Sequence, residues 1–124
     1  MEEKRQALER ILASDTFARA DQVKTFLRYV CEMEIAGRAQ EISEYLVGVE
    51  ALGKAAGFST ADDTSVRYRA YALRKKLDRY YTVEALAEPV HIEFVKGTYI
   101  PRFVEAEIAE PVEPPPPPRD RRFP

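Results

Sequence analysis

The chain of 124 residues has one cysteine, one histidine and no tryptophan. A lone cysteine, Cys31, excludes an intramolecular disulfide and fits a reducing compartment, so a cytoplasmic location is expected. One His and one Cys are too few for a zinc-type ligand set. No serine, threonine or cysteine has a recognisable base partner in sequence, and His91 is expected on the outward side of a strand. No catalytic, metal or cofactor-binding residue is expected, and the chain is not expected to be an enzyme. No apolar run approaches the ~20 residues needed to cross a bilayer. The opening residues, MEEKRQALER, are charged where a signal peptide needs an apolar core. GVEALGKA, from Gly48 to Ala55, has glycines in the manner of a phosphate loop. It lacks the Ser or Thr after its lysine, and no buried strand precedes it.

What the chain does have is charge gathered in one place. Overall it carries 19 bases and 21 acids, a slightly negative balance that by itself argues against a polyanionic partner. Between Thr64 and Tyr81, however, six bases (Arg67, Arg69, Arg74, Lys75, Lys76, Arg79) face a single acid, Asp78. In the same stretch Val66, Ala70, Leu73, Leu77 and Tyr80 recur at the spacing of one helical stripe. Asp62, Asp63 or Thr64 is suited to cap the first turn. The wheel sets Tyr68, Tyr71, Lys75 and Arg79 opposite the stripe, with Ser65, Ala72 and Lys76 beside them. Arg67 and Arg74 fall at the stripe's edge and are expected to pair with carboxylates from elsewhere. A solvated face is the ordinary reading of such a helix; the hairpin predicted after it favours a binding face.

Helices are also predicted over residues 2–14, on Leu8, Ile11 and Leu12, and from a cap at Asp21 to Gly37, on Val23, Phe26, Leu27 and Val30. Phe17 is expected to turn into the core between them, and Cys31 to be half-buried and inert. Gln40 to Ile42 is expected to be an extended edge strand. A compact helix follows, capped by Ser43 and ending at Gly53, with Phe58 anchoring the connection after it. VHIEFVKGTYIPRF, from Val90 to Phe103, reads as a hairpin turning at Lys96 and Gly97, with Thr98 to Ile100 returning and Pro101 holding it to an edge. The expected domain is therefore residues 1–104, mainly α with a C-terminal β-hairpin (α+β). Residues 105–124, with five consecutive prolines, are expected to be a disordered linker or tail.

Helix, strand, helix, turn, basic helix and hairpin is the order of a winged helix-turn-helix, here with an additional N-terminal helix. ILASDTFARADQVKTFLRYVCE, ISEYLVGVEALGK, DDTSVRYRAYALRKKLDRYY and PVHIEFVKGTYIPRF together resemble an N-terminal winged-helix module of bacterial signalling and transcriptional regulator proteins. The family is abundant in acidobacteria and distantly like response-regulator effector domains. Val66–Arg67, Leu73–Arg74, Leu77 and Lys96 to Tyr99 match its pattern. Arg69 and Ala72 depart from it, standing where the family carries an acid and a base. The resemblance implies a sequence-specific binder of double-stranded DNA, with helix 64–81 in the major groove and hairpin 90–103 as the wing. Ser65, Tyr68, Tyr71, Ala72, Lys75 and Arg79 are then expected toward the groove, and Lys76 with Lys96 toward the phosphates. It also implies a further domain or membrane segment past the linker, tethering the module to the inner membrane in the second case. A homodimer suits the short half-site that one helix and one wing read. The alternative is a protein-interaction winged helix, with Tyr68 and Tyr71 as anchors, coupling a sensor, repeat or cyclase-like domain to a partner.

Overall fold

Leu8, Ile11 and Leu12 lie on one side of α1 (Glu2–Leu12), and Ala7 joins them in being buried. The structure, a computed structural model, describes residues 2–84, 89–94 and 97–105. After α1 a tight corner sends Phe17 into the core, fully enclosed. Helix α2 (Asp21–Ile35) then buries Val23, Phe26, Leu27, Val30, Cys31 and Met33. Its N-cap is Ala20, which has no side-chain acceptor, so Asp21 is not the cap but an acid in the first turn, at the positive end of the dipole. Gly37, at φ 78°, ends the helix in the left-handed region that a side chain disfavours.

Residues Ala39–Glu41 form a single 3₁₀ turn rather than the expected edge strand, and only Ile42 is extended. Glu41 binds Arg38 three residues back at 2.8 Å, a contact a turn permits and a strand does not. Ser43 caps the next helix as its sequence suggests, its Oγ accepting from the Leu46 amide at 3.1 Å. That helix, α3 (Glu44–Leu46), continues as a wide π turn over Val47–Ala51, closed by the Leu52 amide on the Val47 carbonyl.

Helix α4 (Ser65–Arg79) packs one side against α2, β1 and the π turns that precede and follow it. Val66, Ala70, Leu73 and Leu77 are buried along it, and Tyr80 is buried in the π turn Tyr80–Glu84 that follows. The stripe read from the sequence is the stripe that packs. Strands β1 (Val90–Phe94) and β2 (Pro101–Glu105) form an antiparallel pair, with Phe94 opposite Pro101 and Val90 opposite Glu105. The returning strand begins at Pro101 instead of at Thr98 to Ile100. The Ile92 amide points away from β2 to the Tyr81 hydroxyl at 2.8 Å, so Ile92–Phe103 and, two residues on, Phe94–Pro101 are positions without ladder bonds. Pro101 loses nothing there by having no N–H, which is why it can open a strand. Lys96, expected at the hairpin tip, and residues 106–124 of the proline-rich tail lie outside the described residues.

The described residues are thus mainly helical with one small antiparallel hairpin, an α+β arrangement. One core joins α1, α2, α4 and the hairpin, with Phe26 edge-on to Phe94 at 5.6 Å and Phe17 edge-on to Tyr80 at 6.5 Å. No helix among the described residues is long and apolar enough to cross a membrane.

Candidate nucleic-acid interface

The exposed side of α4 follows from what its buried side does. With Leu73 and Leu77 held against α2 and β1, the opposite face cannot turn inward. Tyr68 and Tyr71 are 62% and 53% exposed, unusual values for aromatics in a domain that has a core to receive them. The Lys75 ammonium stands 5.5 Å over the Tyr71 ring, and the Arg69 guanidinium 5.8 Å over Tyr68. Arg79 is exposed one turn past Lys75 and makes no ion pair among the described residues. Tyr68, Tyr71, Lys75 and Arg79 thus form one open strip, about 16 Å long at 1.5 Å per residue.

The other expected contacts lie elsewhere. Ser65 is half-buried at the start of α4: its amide donates to Asp63 Oδ1 at 2.9 Å, and its hydroxyl accepts from Lys54 Nζ at 3.1 Å. Lys54 also pairs with Asp63 Oδ2 at 3.0 Å. Hydrogen bonding from the Ser65 side chain foremost, then from its amide and from Lys54, holds the Asp63 carboxyl down at about 2. Ala72 is half-buried and packs against the core. Lys76 bends toward the corner after α1 and donates to the Thr16 carbonyl at 3.2 Å. The structure therefore brings together four of the eight expected residues, sets Ser65, Ala72 and Lys76 aside, and leaves Lys96 outside the described residues.

Two further bases of α4 are also taken up. Arg67 pairs with Glu44 of α3 at 2.6 Å and donates to the Thr60 carbonyl at 3.0 Å, as expected for an arginine at the stripe's edge. Arg69 donates to Gln22 of α2 at 3.2 Å. Arg74, for which the same pairing is expected, has no carboxylate within ion-pair distance among the described residues.

The sequence does not reveal the clamp at the end of α4. The Glu84 carboxylate accepts from the Asp15 and Thr16 amides at 3.2 and 3.1 Å and from the Thr16 hydroxyl at 2.7 Å. The hydroxyl bond is the main cause that lowers this carboxyl below its ordinary range. His91, expected at the surface, instead lies half-buried with its ring stacked on Tyr81 at 4.0 Å. Comparison with family models, with curated proteins and with solved structures finds no match to this chain.

Proposed function

We propose that the chain is a winged helix-turn-helix module that binds double-stranded DNA in a sequence-dependent way, as part of a transcriptional regulator. The open strip Tyr68–Tyr71–Lys75–Arg79 on α4 is the observation that carries this reading. Cations and phenolic hydroxyls on a rigid helix contact phosphates and base edges, and a helix fits the major groove, about 12 Å wide. A strip of about 16 Å covers roughly five base pairs at 3.4 Å each. In this reading α3 supports α4 through Glu44 and Arg67, and the β1–β2 hairpin is the wing.

The test is retention of a fluorescent random-duplex library at low salt, with Lys75→Gln/Arg79→Gln beside the parent chain. The parent is expected to retain duplex and the double variant to release it. Absence of retention at low salt, or retention indifferent to the double substitution, would overturn the reading.

One observation favours a second reading, a protein-interaction module. Three of the six bases counted between Thr64 and Tyr81 are engaged within the domain, Arg67 by Glu44, Arg69 by Gln22 and Lys76 by Thr16, so the strip is more aromatic than its sequence suggests. A partner anchored on Tyr68 and Tyr71 would lose little affinity between low and moderate ionic strength, whereas a phosphate contact loses much.

A further inference from the structure

The open strip of α4 is not uniform along its length. A recognition helix reads base edges mainly through its N-terminal residues, and its C-terminal end lies beside the phosphates. In the N-terminal half of α4 the groups suited to reading guanine are already committed. Arg67 is paired with Glu44 and Arg69 is bonded to Gln22, so both guanidinium forks have partners inside the domain. Ser65 is held by Asp63 and Lys54, while Val66 and Ala70 are buried. What this half presents outward is two phenol rings, Tyr68 and Tyr71, the most exposed aromatics among the described residues. Each ring is backed by a cation on one face, Tyr68 by Arg69 and Tyr71 by Lys75. Arg69 is itself anchored on Gln22, so the Tyr68 ring rests on a fixed support. The strip's two cations, Lys75 and Arg79, belong to the C-terminal half.

The chemistry of the rings sets what they can distinguish. A phenol offers a single hydroxyl, which can donate to guanine N7 or O6, adenine N7 or thymine O4 alike and separates none of them. The apolar ring surface does discriminate, because the thymine C5-methyl is the one methyl group that base pairs put into the major groove. Tyr68 and Tyr71 are three residues apart, about 4.5 Å along the helix axis. Base pairs are about 3.4 Å apart, so the two rings meet neighbouring steps. We propose that Tyr68 and Tyr71 make the module selective for adjacent A·T pairs by packing their rings on thymine methyls. Lys75 and Arg79 then supply phosphate contacts that carry no sequence information. This selectivity rests on the DNA reading, and its failure can be told from the failure of that reading.

The test removes the methyl and nothing else. Duplexes retained by the 124-residue chain from a random library are sequenced, then resynthesised with deoxyuridine in place of thymidine, which keeps every base pair and phosphate. The retained pool is expected to be enriched in adjacent A·T pairs. Each methyl lost is expected to weaken binding about fourfold, hence about fifteenfold for two, at unchanged salt slope. Tyr68→Phe/Tyr71→Phe is expected to keep the thymine-to-uracil ratio, since the rings remain. Tyr68→Ala/Tyr71→Ala, still held through Lys75 and Arg79 at low salt, is expected to bring that ratio near unity. Both tyrosines are exposed, so these substitutions leave the core in place. Equal affinity for thymine and uracil duplexes overturns the proposal and leaves the DNA reading standing, as does a ratio that survives the alanine pair. Absence of duplex retention at low salt overturns both.

Discussion

Gly48 has no side chain, and the Phe58 ring occupies the space a Cβ would need. That ring is pinned by stacking on Tyr45 at 5.5 Å, so it cannot swing aside freely. Gly48→Ala therefore sets a helix-propensity gain of about 0.5–1 kcal/mol against an overpacking cost of about 1–3 kcal/mol. Overpacking wins, and the urea midpoint is expected to fall at unchanged slope. A rise in midpoint would show that Phe58 yields. Asp63 makes the pH prediction at this scale. Its folded carboxyl sits at about 2, below the ordinary Asp value of about 3.9 in an unfolded chain. A depressed carboxyl contributes stability that is fully present above the unfolded value and disappears as pH falls through the folded one. Asp63→Asn is thus expected to flatten the loss of stability between pH of about 4 and about 2, measured by denaturant titration at each pH. An unchanged slope would remove Asp63 from the acid response. The sequence names Asp63 as one of three candidate caps, but not Lys54, whose approach depends on the loop that precedes α4. Cys31 proves more deeply enclosed than its position beside the α2 stripe suggests, and burial drives its thiol far upward.

Among the elements, α4 is where stability and the proposed duplex binding part most sharply. Leu73 is fully buried on it, and Leu73→Ala is expected to cost about 2–5 kcal/mol through lost transfer energy and the cavity left behind. Tyr71→Ala, on the open side, is expected to change stability by less than about 0.5 kcal/mol yet to reduce duplex retention several-fold. Thermal unfolding and retention measured on both variants decide this. If Tyr71→Ala destabilises as strongly as Leu73→Ala, the face is not open. The inward and outward sides of α4 were legible because a helix repeats every 3.6 residues whatever surrounds it. The supposed strand at Gln40 to Ile42 was not legible in the same way: with so few residues no period can be read, and the Arg38–Glu41 contact sets the turn. The hairpin's existence was readable from Val90, Ile92 and Phe94, but its register was not. Pro101 reads as the end of a strand and is in fact its beginning, because it sits where the ladder needs no donor.

For the whole molecule the quantity to measure is the dependence of binding on salt. The strip has two cations not committed elsewhere by an ion pair, Lys75 and Arg79, and each phosphate neutralised contributes about −0.9 to the log–log slope. A slope of roughly −2 from α4 is expected, reduced by about one unit in Lys75→Gln; a flat response favours the protein-interaction reading. The net charge of −2 at neutral pH gives no global attraction to a duplex, so the proposed binding would rest on this local arrangement. By itself the sequence determined which α4 residues face inward, since their spacing follows from helix geometry alone. Only the tertiary structure decided which of its cations remain free. Glu44, Gln22 and Thr16, which engage Arg67, Arg69 and Lys76, lie 23, 47 and 60 residues away along the chain, and packing rather than local pattern brings them there.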